Sequence, residues 1–316
     1  MTNQIFSGME YVYEVYRQGS FQKAAEAMYI SQPSVSASVR RVEERLGAAI
    51  FDRSVKPLAL TNCGRRYIEA AERIMAMENE LLEYVADLEG LLQGELVLGG
   101  SSLFSSLVLP PLMSCFHSLY PQIRLELVEE TSVNLETMLQ RGSVDMVVDY
   151  DIPHPENYVS SVLEDEHLLL AVPRKRPVNE GLEAYRLTEK CIRQGEEAIC
   201  GVPTVPLQLF RNEEFILLKQ GNDTRRRADA LCEAAGFRPA STLEFDQQLT
   251  SYHVSCSGMG LCFVSSFLVR RLGNDPDMVY YRTDGEPSYR QVCLFRRRGR
   301  YVTRAMEAFQ KMAVGK

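Results

Sequence analysis

The chain has 316 residues, is 45% hydrophobic and 24% charged, and carries a net charge of −7. That is the composition of a globular protein of about two domains, and it excludes a largely disordered chain, a collagen-like fibre and a low-complexity tract. No apolar run approaches the roughly 20 residues that span a bilayer. Met1–Glu10 shows no basic segment leading into an apolar core. The expectation is a cytoplasmic chain with no membrane partner. The eight cysteines (Cys63, Cys115, Cys191, Cys200, Cys232, Cys256, Cys262 and Cys293) contain no CxxC pair and read as reduced thiols. The charge is uneven: residues 1–66 hold nine Lys/Arg and six Asp/Glu, a net of +3, which leaves −10 for the remainder. A basic head on an acidic body suits nucleic-acid binding, although +3 is small.

In chain order, Ile5, Met9, Val12, Tyr13 and Tyr16 predict an amphipathic helix stopped by Gly19. Ser20 caps a second helix, whose buried face is Phe21, Ala24, Ala25 and Met28. After a turn at Tyr29–Ile30, Ser31 caps a third helix with Pro33 in its first turn, where a missing N–H costs nothing. Val35, Val39, Val42 and Leu46 form the apolar face of this third helix, and Gly47 ends it. Residues 50–64 read as two short extended segments around Lys56-Pro57, a small wing. A long helix follows from about Gly64 to Leu92. Its Tyr67, Ala70, Ile74, Met77, Leu81, Tyr84, Leu88 and Leu91 alternate three and four apart, a heptad seam. Ile74, Met77, Leu81, Tyr84 and Leu88 are therefore the expected dimer contacts.

From Gly94 the pattern changes to alternating strand and helix. Strands are expected at Glu95–Gly99, Ile123–Glu129, Val144–Asp149, Leu168–Val172, Phe215–Leu218 and Leu261–Val264. Helices are expected at Phe104–Leu119, Val133–Gln140, Thr224–Ala235, Gln247–Ser255 and Tyr301–Met312. This alternation predicts an α/β body with helices on both sheet faces.

The third helix carries the functional signal. With Val35 and Val39 inward, Pro33, Ala37, Arg40 and Glu44 point away from the core, flanked by Ser34, Ser36 and Arg41. Its N-terminal half is short-sided, hydroxylated and neutral, which suits a helix that must enter a major groove and approach base edges closely. Gln32 can contact adenine, Ser34 and Ser36 can reach bases or phosphates, and Arg40 either. Arg53 and Lys56 on the wing would neutralise phosphates. A solvated capping segment in a small helical bundle would show the same face.

The ordered run Gly19-Ser20-Phe21-x-x-Ala24-Ala25, Ile30-Ser31-Gln32-Pro33-Ser34-Val35-Ser36, Arg41-Val42-Glu43-x-x-Leu46-Gly47, Phe51-x-Arg53 and Leu60-Thr61-x-x-Gly64 strongly resembles the N-terminal signature of LysR-type transcriptional regulators. The likeness continues through Leu109-Pro110-Pro111, Tyr120-Pro121, Val144-Asp145, Gly236-Phe237 and Gly258-Met259-Gly260, over essentially the whole chain. The resemblance implies a winged helix-turn-helix head (1–64), a dimerising linker helix (65–92) and an effector body (93–316) like a type 2 periplasmic binding protein. Its two α/β subdomains would be about 93–171 with 266–316, and about 172–265. The crossings would lie near Val172–Pro173 and Val264–Phe267, with Met278–Met312 returning to the first subdomain. The implied partners are an inverted-repeat operator in double-stranded DNA, a small-molecule effector, a second copy or three further copies of the chain, and RNA polymerase. Two departures stand out. Ala37 occupies a position where the family often has Arg. The stretch Pro177–Pro206 is longer than the usual connection, with helical character at Glu180–Glu197; it reads as a cleft-entrance or oligomer contact, or as a solvated insertion.

For the effector, Ser101 and Ser102 after Gly99-Gly100, and Thr131 with Ser132, lie where a strand meets a helix, a ready anion site suited to a carboxylate. The resemblance places both at the cleft, together with Asp149, Tyr150 and Gln247. Asp149 in the cleft would favour a ligand with a donor or cation. Simple helix capping accounts equally for Ser101 and Thr131. No GxSxG, GxGxxG or GxxxxGK[ST] motif is present, so neither an enzyme nor a cofactor is expected. The four histidines (His117, His154, His167 and His253) make no familiar metal spacing. A stand-alone solute-binding protein is a remote alternative. A thiol-redox regulator is a nearer one, with Cys191 and Cys200 as a candidate pair. They do not align with the cysteines of peroxide-sensing relatives, which resemble this chain further on, around Phe215–Asp223.

Overall fold

The computed structural model describes residues 5–55, 57–88 and 94–315. Lys56 and Leu91 lie outside the described residues, as does the side chain of Leu88. The chain forms two compact units, Met1–Val85 and Ala86–Lys316.

In the first unit, α1 (Met9–Gln18), α2 (Phe21–Ala27) and α3 (Gln32–Leu46) are followed by β1 (Phe51–Asp52), β2 (Ala59–Leu60) and α4 (Asn62–Leu88). The helix ends obey local chemistry. Ser20 Oγ accepts from Lys23 N and Ser31 Oγ from Ser34 N, satisfying first-turn amides. Gly47 closes α3 at φ 76°, a left-handed position that costs a glycine little. Val12, Val15, Ala24, Ala25, Val35, Val39 and Val42 form the core, and the two alanines let the helices approach closely. Phe51 pairs with Leu60 and Asp52 with Ala59, the expected wing. The long helix starts two residues earlier than expected, because Thr61 Oγ1 caps it by accepting from Gly64 N at 2.9 Å.

In the second unit, β3 (Gly94–Gly100), α5 (Ser102–Leu107), α6 (Leu109–Leu119), β4 (Ile123–Glu129), α7 (Ser132–Arg141) and β5 (Met146–Asp149) form the first α/β run. The expected single helix over Phe104–Leu119 breaks at Val108, since Pro110 and Pro111 cannot donate into a preceding turn but suit the start of a new one. The long strand β6 (Tyr158–Pro173) follows. Then come β7 (Arg186–Leu187), α8 (Glu189–Gln194), α9 (Glu196–Cys200), β8 (Glu214–Leu218), α10 (Asp223–Ala234), β9 (Ala240–Phe245), α11 (Gln248–Cys256) and β10 (Leu261–Ser265). The chain closes with α12 (Ser266–Leu272), β11 (Met278–Arg282), β12 (Tyr289–Arg297) and α13 (Arg304–Val314). The first sheet has the order β4-β3-β5-β12-β6. The second runs β6-β10-β8-β9, with β11 and β7 on the other flank of β6.

β6 serves both sheets. Residues Tyr158–His167 pair with β12, and Leu168–Pro173 with β10 and β11. The first crossing is therefore at His167/Leu168, not at Val172–Pro173. The second lies between β11 and β12, at Thr283–Ser288, not at Val264–Phe267. β11 stays with the second sheet because Met278, Tyr280 and Tyr281 are buried in its cores. The subdomains are accordingly 94–167 with 289–315, and 168–282. The helical insertion over Glu180–Glu197 is also corrected: Gly181 and Gly195 interrupt it, and it folds as short turns around β7, α8 and α9. Asp145 accounts for the Val144-Asp145 pair. Its buried carboxylate accepts from Val97 N at 2.7 Å and pairs with Arg300 at 2.7 Å, tying β3 to the segment that enters α13.

A β-carbon on Gly64 would lie 2.0 Å from the carbonyl oxygen of Ile50, backbone against backbone. The variant Gly64→Ala is expected to destabilise the first unit by about 1–3 kcal/mol or more, read as a lowered first transition in calorimetry of the full chain, with the body's transition unmoved.

Candidate functional site

Two places gather the predicted side chains, one in each unit. On α3, Gln32, Pro33, Ser34, Ala37, Arg40 and Arg41 are exposed and Ser36 is half-buried. Gln32 Nε2 donates to Ser36 Oγ at 2.9 Å, and Ser31 and Ser34 hydroxyls meet at 2.7 Å. These short polar groups flank the exposed face of the helix, Gln32 with Ser36 on one side and Ser31 with Ser34 on the other, and match the reach and donor–acceptor character of base edges. Arg40 pairs with Glu44 at 2.9 Å, and Arg41 donates to Ser38 Oγ at 3.1 Å. Arg53 does more than the sequence suggested. It bonds Glu43 at 3.0 Å and lies over the Phe21 ring, while Glu43 also accepts from Ile50 N and Phe51 N. It therefore fastens the wing to α3. The sequence placed Tyr29 in a turn and assigned it no further role. It is 96% exposed in the turn before α3, at φ 55°. A bulky aromatic beside a capped helix was its only signal. On α4, Ile74 is half-buried, whereas Met77 (61%), Leu81 (62%) and Tyr84 (44%) are exposed. Leu82 and Val85 extend this apolar face.

In the body, the ends of β5, α7, α10 and α11 meet the two crossing strands. Arg290 on β12 lies directly opposite Glu166 on β6. Its Nε donates to Glu166 Oε1 at 2.6 Å, and its Nη1 to Asp223 Oδ2 at 2.9 Å and Thr224 Oγ1 at 3.0 Å. The guanidinium carbon sits 3.4 Å from the centre of the Tyr150 ring. Tyr150 and Ser265 both donate to Glu166 Oε2, at 3.1 and 2.6 Å. Gln248 bridges Thr224 Oγ1 and Ser265 N. Asp149 is buried beside this group and accepts from Tyr150 N and from the Ser132 hydroxyl. The network joins the first subdomain (Ser132, Asp149, Tyr150) to the second (Asp223, Thr224, Gln248, Ser265). Arg290 Nη2 is buried and has no hydrogen-bond partner.

Not every predicted cleft residue takes part. Gln247 is exposed at the α11 cap, and the amide that makes the contacts is Gln248, one residue on. Thr131 caps α7 by accepting from Asn134 N at 3.4 Å. Ser101 and Ser102 are half-buried at the start of α5, where Ser101 makes no side-chain cap bond. Glu166, Asp223, Thr224, Ser265 and Arg290 were not anticipated. Among the described residues no group of three or more His, Cys, Asp or Glu could hold a metal ion. No described helix is long and apolar enough to cross a membrane.

Electrostatics follows from burial. Burial pushes Asp149 up from 3.8 to about 6, partly offset by the Ser132 and Tyr150 hydrogen bonds. Arg290 and Arg227 hold Asp223 below its ordinary value despite burial.

Comparison with known proteins then gives a consistent picture. The family model described as "LysR substrate binding domain" matches residues 89–315, and "Bacterial regulatory helix-turn-helix protein, lysR family" matches residues 6–65. The uncharacterized HTH-type transcriptional regulator YcgK of Bacillus subtilis is 33% identical over 306 residues, 96% of this chain and 92% of the relative. A RuBisCO operon transcriptional regulator of Allochromatium vinosum is 26% identical over 95% of this chain and 92% of its own. The fold resembles that of full-length CbnR complexed with its target DNA, at TM-score 0.66 and 19% identity, covering 98% of both chains.

Asp149 holds its proton more tightly in the folded chain than in the unfolded one. Its contribution to stability is full below about pH 4 and is lost as pH rises through about 6. Asp149→Asn is therefore expected to raise stability at pH 8 by on the order of 1–3 kcal/mol and to change little at pH 4, measured by thermal melting across that range.

Proposed function

The chain belongs to the LysR family of bacterial helix-turn-helix transcriptional regulators, whose members bind DNA and small-molecule effectors, and on that premise we propose how this one divides the work. The exposed face of α3, flanked by Gln32 and Ser36 on one side and Ser34 on the other, reads an inverted-repeat operator from the major groove. Arg40, Arg41, Arg53 and Lys56 neutralise phosphates and set register. The observation that carries this reading is the exposed, neutral, hydroxyl-lined N-terminal half of α3, fixed by the Ser31 cap. Ile74, Met77, Leu81, Tyr84 and Leu88 pair two copies through α4, so that operator dyad symmetry mirrors protein symmetry. RNA polymerase, in the cytoplasm, is the partner that receives the signal.

The effector occupies the cleft floor around Asp149, Tyr150 and Arg290. Three carboxylates, Asp149, Glu166 and Asp223, already surround Arg290 there. A simple carboxylate would meet that negative charge. An ampholyte fits better: an acceptor oxygen for the unpartnered Arg290 Nη2, and an ammonium or hydroxyl donor for Asp149. Ser101, Ser102, Thr131, Ser132 and the α11 cap at Gln247 would line the cleft's rim. Such a ligand acts only through its different affinity for two arrangements of the protein.

Selection of binding sites from random duplexes tests the DNA reading. The wild-type chain should recover two half-sites related by a dyad. Gln32→Ala should lose the preference at one position in each half-site, about 1–3 kcal/mol, and keep its nonspecific low-salt affinity. Recovery of no dyad would contradict the proposal. Leu81→Asp should sediment as a monomer; a surviving dimer would move the interface off α4.

A further inference from the structure

Strand alternation places Glu166 and Arg290 on one face of the crossing pair, and His167 with Tyr289 on the other. That second face borders a cavity of about 520 Å³ lined by His167, Glu196, Cys200, Arg282 and Tyr289. The Pro177–Pro206 insertion supplies two of these groups on α9. Glu196 hydrogen-bonds His167 Nδ1 and accepts from Ser266 Oγ at 2.7 Å. Cys200 is exposed, and its Sγ lies 3.8 Å from His167 Nε2. With Nδ1–H donated to Glu196, Nε2 keeps its lone pair toward the thiol. Arg282 Nη1 donates to Cys200 O at 2.8 Å and holds the end of α9. Burial pushes other cysteines up, Cys232 and Cys262 to about 12, and Cys256 and Cys293 to about 11, so those thiols stay protonated.

We propose that Cys200, His167 and Glu196 are a nucleophile, base and orienting carboxylate, and that Cys200 is a covalent modification site for small cationic disulfides. Nucleophiles with this support recur wherever a thiol must be deprotonated on demand. The Cys200 proton passes to His167 Nε2. The thiolate sulfur attacks one sulfur of the disulfide, a new S–S bond forms to Cys200 and the original one breaks. The departing thiolate takes the proton back from His167, so the step needs no other oxidant. Asp165, Glu197, Asp284 and Glu286 around the cavity favour an ammonium-bearing disulfide over an anionic one. The adduct sits against both crossing strands, so it bears on the same hinge as the effector, from the opposite face.

The test is the rate of mixed-disulfide formation at each cysteine of the full chain, resolved by peptide mass spectrometry, with exposed Cys115 as the internal reference. Cystamine should modify Cys200 at least about tenfold faster than Cys115, and faster than dithiodiglycolate does. His167→Gln should bring Cys200 down to the Cys115 rate, with Glu196→Gln intermediate, while Cys115 keeps its rate in both. If Cys200 reacts no faster than Cys115, or if neither variant slows it, the triad is refuted. If dithiodiglycolate reacts as fast as cystamine, the cationic specificity is refuted.

Discussion

The Arg290 guanidinium is the interaction on which the body depends. It is buried between Glu166 and Asp223 and lies against the Tyr150 ring. A charge in such a place is tolerated only when its partners are present; removing one partner of a buried pair costs about 3–5 kcal/mol. The cluster draws on three elements. Glu166 belongs to the first crossing strand, Arg290 follows the second crossing, and Asp223 opens α10 of the second subdomain. The same ion cluster thus fixes the register of the crossing strands and sets how the subdomains face each other. A ligand that engages Arg290 Nη2 or Asp149 acts where the two halves of the body are joined.

Charge balance sets which ions this floor tolerates. Desolvation alone would disfavour every ion in it. Asp223 stays ionised because Arg290 and Arg227 face it, whereas Asp149, farther from compensation, is pushed up to about 6. A donor brought in by a ligand would supply what Asp149 lacks. The first unit works on another principle. Caps at Ser20 and Ser31, the Gly47 stop and the Gly64 contact with Ile50 impose the path of α2, α3 and the wing through backbone geometry, leaving the outer edge of α3 free of packing duties.

Where structure is local, the sequence was legible. The cap-proline-valine pattern of α3 was read to its terminal residues, and β4 to its bounds. What is set by distant pairing was not. Only Leu168–Val172 of β6 was read as strand, because that half is a continuous apolar run. Its first half alternates polar residues outward and resembles a loop. β12 hides in the same way behind Arg290, Gln291 and its terminal arginines. Glu166 and Arg290 are 124 residues apart, and each alone looks like a solvated charge. The misplaced second crossing has the same origin, since β11 and β12 are strands only by virtue of their partners. The seven-residue α12 is too short to show a period. Of the helix-start residues read at strand–helix junctions in the first subdomain, Ser132 joins the network, whereas Thr131 caps α7 and Ser101 and Ser102 lie at the start of α5. The second subdomain's contribution was shifted by one residue at Gln247 and missed at Asp223 and Thr224.

The most direct measurement is a footprint of the purified full chain on the DNA just upstream of its own gene, repeated with a panel of amino acids, amines and simple carboxylates. The account predicts a protected inverted repeat whose length or hypersensitive sites change with an ampholyte, and not with simple carboxylates alone. Absence of protection at low salt, where phosphate contacts alone favour binding, would contradict the DNA-binding assignment of α3. A response confined to simple carboxylates would contradict the chemistry assigned to the Arg290 cleft.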